Sequence, residues 1–342
     1  MRILLTKRKS SGTAAAPGCA DHKRFYACAG QRCAEQLRKV LTLAPVLLFP
    51  ATVLAHTGEG PVTPQSLWSA WTWDPLILVL LLISALLYIR GLGRGAKASK
   101  WQITSFASGW LTLLIALISP LHRLGSVLFS AHMSQHELLM LIAAPLLVLG
   151  HPLVPFLFAF SPPWRLRLGQ VTKTKWLSVA WKKLTQPLNT WLLHGFTLWI
   201  WHLPSLYQAT LESDFIHALQ HISFLGTALL FWWTLIHGRY GRMGYGTAVF
   251  YIFTTAVHSS ILGALLALAR NVWYPIYDGR TILFGLKAIE DQQLGGLIMW
   301  IPSGTVFVAV GLALFAAWLG ESERRLQYSK LQAMMQAEGG PE

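Results

Sequence analysis

Acidic side chains are scarce in this sequence. There are 14 Asp and Glu in 342 residues, and charged residues of both signs reach only 12 %, where a soluble globular domain carries about 25 %. So few charges cannot clothe a water-soluble surface of this size, which argues against a soluble enzyme and against a disordered chain. Cysteine is scarcer still: Cys19, Cys28 and Cys33 all precede the first long apolar run, so neither disulfides nor thiolate metal sites can belong to the rest of the chain. Glycine-rich phosphate loops, heptad arrays and the alternation of a membrane barrel are also missing. What is abundant is apolar. Hydrophobic residues make up 54 %, with 16 Trp and 16 Phe, and the mean hydropathy is +0.45. The fold class these numbers indicate is all-α, a polytopic membrane helix bundle.

The net charge of +14 reports topology rather than a nucleic-acid partner. Nine of the basic residues lie in residues 1–39, ahead of an apolar run from Val40 to Ala55 that ends Val53-Leu54-Ala55. That run is short for a span, and its small or branched residues suit a signal-peptidase site, so residues 1–55 read as a basic presequence and signal peptide. An uncleaved first helix and a start codon placed too early are the alternatives. Residues 56–70 then form a short external segment, 71–319 the membrane domain, and 320–342 a cytoplasmic tail.

Seven transmembrane helices are expected, over 71–90, 101–119, 133–150, 190–204, 217–237, 246–269 and 293–319, each near the roughly 20 residues that a bilayer core requires. Arg90, Arg94, Lys97, Lys100, Arg165, Arg167, Lys173, Lys175, Lys182, Lys183, Arg239, Arg242, Arg324, Arg325 and Lys330 all fall on one side of that arrangement. The positive-inside rule makes that side cytoplasmic and the N-terminus of the cleaved chain external. The small residues Gly226/Ala228 and Gly263/Ala264/Ala267 suit close helix packing.

With this orientation the histidines separate by depth. His122, His132, His136, His202, His217 and His221 gather at the outer ends of four spans. His258 falls mid-span, His194 in the inner half of the fourth span, and His151 and His237 at inner ends. His132/His136 and His217/His221 are each four apart, which places two imidazoles on one helix face one turn apart, the geometry of a bidentate metal clip. Met133, Met140 and Met299 tilt the choice among imidazole-binding metals toward Cu(I). A zinc protease would need Glu directly after the first histidine, and Met133 and Ala218 stand there. An N-terminus at His56 would add an amine and an imidazole able to chelate Cu(II). Glu290 and Asp291 enter the last span, where a helix start with acids at the positive end of the dipole is favoured over a role behind the histidines.

Several strings carry a family resemblance: Ala131-His132-Met133-Ser134-Gln135-His136 with Ala144-Pro145-Leu146-Leu147-Val148-Leu149-Gly150; Trp201-His202-Leu203-Pro204 with Tyr207; His217-x3-His221 leading to Phe231-Trp232-Trp233; and Glu290-Asp291-Gln292-Gln293-Leu294-Gly295-Gly296 with Met299-Trp300-Ile301-Pro302. Together they resemble the CtaG family of cytochrome c oxidase assembly factors, the seven-span bacterial type, over about 68–320. An unrelated single-span copper chaperone shares the name, and this sequence does not resemble it. The long basic, Cys-containing front departs from the family's usual pattern. The resemblance implies a non-enzymatic factor of the bacterial inner membrane that supplies copper to subunits of a haem-copper oxidase at its outer side. Read from the residues, the copper ligands are His132, His136, His217 and His221, with His202 and His258 as nearby ligands or gates and Met133 and Met140 as thioether donors. Two other readings stay open. One is a membrane cytochrome with haem on His194 or His258; the other is a copper channel, for which the inner face offers His151 and His237.

Overall fold

The computed structural model describes residues 62–238 and 243–338. The expected signal peptide, His56, Arg239 and Arg242 lie outside the described residues. Within them the chain is helical throughout, with no strand.

Six helices are long and apolar enough to cross a membrane. Helix α1, Pro75–Gly93, starts where Asp74 accepts the Leu76 amide at 2.8 Å and Pro75 pre-sets the first turn. Helix α2, Lys100–Ile118, opens with a reciprocal Ser99/Gln102 capping box and runs into the short α3, Pro120–Leu124. The third span, α4, covers Phe129–Leu149. A turn follows at His151, whose φ of 46° is the one positive value outside glycine among the described residues, then α5, Leu153–Phe158. Two helices rich in Lys, Arg and Trp come next, α6, Pro162–Thr172, and α7, Lys175–Leu184. At this end Arg90 and Arg94 both donate to the Ala159 carbonyl, at 3.0 and 2.9 Å.

The fourth expected span is the one that falls short. Helix α8, Pro187–Trp201, has 15 residues, which reach about 22 Å against a hydrocarbon core of about 30 Å. Pro187 starts it, and the chain turns at His202 before Pro204 opens α9, Pro204–Glu212. Helix α8 still carries the chain from one end of the bundle to the other. Both α4 and α10, Asp214–His237, begin at the same end, since the His132 and His217 rings lie 5.3 Å apart, and only α8 returns the chain between them. Helix α11, Tyr245–Ala267, and α12, Ala288–Glu338, complete the bundle. The last span does not break at the expected boundary of 319/320: α12 continues unbroken into the tail.

The core lies along α4 and α10, whose most apolar windows are 56 % and 50 % buried, against 17 % for α1 and 22 % for α2. The two helices that carry the paired histidines are therefore the central ones. The α11–α12 contact depends on glycine: a Cβ on Gly296 would run into the Ala267 amide nitrogen, and one on Gly263 would lie 3.0 Å from the Trp300 backbone. Gly226 is different. It faces open space, so the expected tight packing there rests on Ala228 alone, which is buried.

Helix α4 is not uniform. Phe129–Glu137 is α-helical, Leu138–Ala143 forms a wider π turn, and Ala144–Leu149 is α-helical again. Pro145 supplies the reason. It has no amide to give the Leu141 carbonyl and its ring crowds that position, which the wider turn relieves. A carbonyl in this turn is taken by an indole, as Trp232 Nε1 donates to Met140 O at 2.8 Å.

A candidate metal centre at the histidine end

His132 and His136 on α4 and His217 and His221 on α10 face one another. Ring centroids are 4.5 Å apart for His132–His136, 4.3 Å for His217–His221 and 5.4 Å for His136–His221. Two triads have donor atoms all within 4.8 Å of one another: His132/His136/His221, fully buried, and His122/His217/His221, in which His122 and His217 are half-buried. A metal–nitrogen bond of about 2.0 Å would set coordinating nitrogens roughly 3.3–3.5 Å apart, inside the 4.8 Å limit within which these donors lie.

Hydrogen bonds distinguish the triads. Gln135 Nε2 lies 2.6 Å from the Ala116 carbonyl and 2.8 Å from His122 Nδ1. An atom that close to a backbone carbonyl has to be N–H, so the same amide donates to His122 Nδ1 and the His122 proton sits on Nε2. Neither nitrogen of His122 then offers a lone pair. In the deeper triad, His132 Nε2 donates to Gln220 Oε1 at 3.1 Å, which leaves Nδ1 as the donor atom and fixes the ring from behind. Neither ring nitrogen of His136, nor Nε2 of His221, has a hydrogen-bond partner. Buried imidazoles left in this way are costly unless something occupies them. The site's chemistry is therefore three neutral imidazoles, from two helices, with no carboxylate in the triad.

The other expected residues are placed less uniformly. His202 is buried just past the end of α8 and donates from Nδ1 to the Leu198 carbonyl at 2.6 Å, so Nε2 keeps its lone pair. Phe224 neighbours both rings, 6.2 Å from that of His202 and 4.5 Å from that of His136. Met133, expected as a thioether donor, is not on the His132/His136 face. It sits about 100° around the helix from His132, and its Cγ packs where Gly295 of α12 leaves room. Met140 is carried by the π turn to an interior cavity, away from the His132/His136 face. His258 belongs to neither triad; it lies edge-on to Trp191 at 5.5 Å, and a Cβ on Gly195 would come within 3.6 Å of its ring.

Three residues matter here that sequence reasoning passed over or read differently. Gln135 and Gln220 were not singled out, although both pairs read His-x-x-Gln-His, and that repeat was the available signal. Asp291 does more than start its own helix. Fully buried, it accepts the Phe129 amide at 2.6 Å, the Ser130 amide at 3.2 Å and the Ser130 hydroxyl. It thereby caps the helix that presents His132 and His136, in the way an N-cap side chain would, from the far end of the chain. Above the site, Tyr207 donates to the Tyr277 hydroxyl, which donates to Gly125 O, both at 2.8 Å, and Tyr274 donates to His202 O at 2.8 Å. Burial raises the pKa of the Tyr277 hydroxyl, in the loop before α12, and keeps it a proton donor.

The description "cytochrome c oxidase caa3 assembly factor" matches residues 85–321, which include every histidine of both triads. The chain belongs to that family. It is also 25 % identical over 282 residues to uncharacterized protein ML1998 of Mycobacterium leprae, covering 79 % of this chain and 43 % of that one. Over 287 residues it is 26 % identical to uncharacterized protein Mb0105 of Mycobacterium bovis and to MT0111 of Mycobacterium tuberculosis, covering 79 % of this chain and 42 % of each. The chain thus spans less than half the length of these curated relatives. No solved structure matches.

Proposed function

We propose that this member of the caa3 assembly factor family handles copper for a haem-copper oxidase, taking up Cu(I) at His132, His136 and His221 and releasing it by ligand exchange to an oxidase subunit. The observation that carries the reading is the buried all-imidazole triad, in which His132 Nδ1, both His136 nitrogens and His221 Nε2 lack other partners. Imidazole suits copper, zinc and iron alike, and the charge decides among them. Burying a divalent ion costs about four times as much as burying a monovalent one, because the Born penalty grows with the square of the charge. A triad without a carboxylate favours the monovalent ion. His217, half-buried and sharing His221 with the triad's edge, is the natural first contact, and His202 Nε2 a ligand on the exit side.

In this reading the positive-inside rule supports a cytoplasmic side for α6 and α7 and an outer face of a bacterial inner membrane for the histidines. No substrate is turned over in this scheme, so the protein acts as a carrier and not as an enzyme. The haem reading has less support: the interior cavity that His194 lines has a volume of about 20 Å³, room for one water and far too little for a porphyrin.

The deciding measurement is copper bound per chain after anaerobic Cu(I) loading, for the wild type and for His132→Ala/His136→Ala, alongside oxidase activity in membranes carrying each. The double variant is expected to insert at normal abundance, lose the triad's copper and lower oxidase activity. Unchanged loading and unchanged oxidase activity would sink the proposal. A Soret band in the purified wild-type protein would replace it with the cytochrome reading.

A further inference from the structure

A second group of metal-binding side chains lies deeper in the bundle. Glu137 and Met140 of α4, His194 of α8, and Met299 and Ser303 of α12 line one cavity of about 20 Å³, walled by Phe231, Trp232 and Phe307. An occupant the size of one water or one ion fits such a volume. Met140, Met299 and His194 are buried, and Glu137 Oε2 has no hydrogen-bond partner. An ionisable residue inside a span marks a functional site by default, and its partner should be identifiable. Arg and Lys are absent from the lining, so the chain supplies no countercharge there.

The hydrogen bonds prepare the imidazole. Thr227 Oγ1 donates to the Ser223 carbonyl at 2.8 Å, so toward His194 Nδ1, 3.2 Å away, the hydroxyl oxygen acts as acceptor. The ring proton is then on Nδ1 and the lone pair on Nε2. The lining hydroxyls are already committed: Ser303 donates to Met299 O, Ser259 to Thr255 O at 2.9 Å, and Thr255 to Tyr251 O at 2.8 Å. None of these protons is left to solvate a carboxylate.

We infer that this cavity is a second Cu(I) site, distinct from the histidine triad, in which the Met140 and Met299 thioethers, the His194 imidazole and the Glu137 carboxylate hold one soft monovalent cation. Two thioethers select a soft ion over zinc, calcium or magnesium. One carboxylate cancels one positive charge, so the filled site is neutral, which suits a site buried in the bundle. Glu137 follows His136 directly in the sequence, so the two sites adjoin along α4. The inference goes beyond the triad's role and rests on its own donor set.

The test is X-ray absorption at the copper edge, with copper stoichiometry, on the purified full chain loaded anaerobically with Cu(I) and washed with a Cu(I) chelator. The wild type should hold two coppers and show both sulfur and nitrogen scattering. Met140→Leu/Met299→Leu, close in volume and shape, should lose one copper and the sulfur scattering. His132→Ala/His136→Ala should keep one copper with its sulfur scattering. Glu137→Gln, which keeps shape and removes charge, should weaken the chelator-resistant copper at least about tenfold. Unchanged thermal unfolding of the leucine and glutamine variants separates loss of ligand from loss of fold. A wild type that holds one copper with nitrogen scattering alone, or a leucine double variant that keeps its sulfur signal, overturns this inference and leaves the triad standing. One copper with sulfur scattering that survives in the histidine variant overturns the triad and keeps the cavity.

Discussion

Asp291 and Phe129, 162 positions apart in the chain, are joined by a buried 2.6 Å hydrogen bond from the Phe129 amide to the carboxylate. The last span thereby sets the start of the helix that carries His132 and His136. Asp291→Ala would leave the Phe129 and Ser130 amides buried and unpaired, at roughly 1–3 kcal/mol each. The expected result is a lower unfolding temperature in detergent together with reduced copper retention, and Asp291→Asn should recover part of both. If Asp291→Ala unfolds and loads like the wild type, the cap does not position the site.

Gln220 is expected to act through His132. Gln220→Leu removes the acceptor of the Nε2 proton, and losing a partner of this kind lowers metal affinity by about 10–100-fold. Chelator competition measures it, and helical content by circular dichroism should not change.

Of the two histidine triads, the deeper one should dominate. His136→Ala is expected to lower copper affinity at least about tenfold more than His122→Ala, because Gln135 holds His122 in the tautomer that offers no lone pair. Equal losses from the two variants would argue that the shallower triad is the binding site.

Reporter fusions after residues 96 and 175 should behave as cytoplasmic and those after 125, 210 and 280 as external. The fusion at 210 tests the short helix directly, since it follows Pro187–Trp201. A cytoplasmic result there would mean that α8 does not cross.

Much of this arrangement was legible as periodicity. The long apolar runs gave the spans, and the spacing of four gave the two histidine pairs, because both signals are local to one helix. Met140 would stand one turn beyond His136 in an uninterrupted α-helix, and the π turn ahead of Pro145 moves it inward. Met133 was included for its chemistry, although it lies on a neighbouring face that packs against Gly295. The role of Asp291 was hidden for another reason. Its partners are backbone amides of a distant helix, and no pattern within one segment encodes them. The shortness of α8 was visible, but that it must still return the chain followed only from α4 and α10 starting at the same end.

The wide turn at Leu138–Ala143 makes the third span two rods joined by a vernier. Above it the phase of the helix is set by what the histidines must face; below it, by how Ala144–Leu149 packs on α2 and α10. Removing one residue from the turn would force the two phases to agree and would rotate one rod about 100° against the other. The imidazoles would then leave α10, or the lower half would leave its packing. The extra residue lets both halves keep their own alignment.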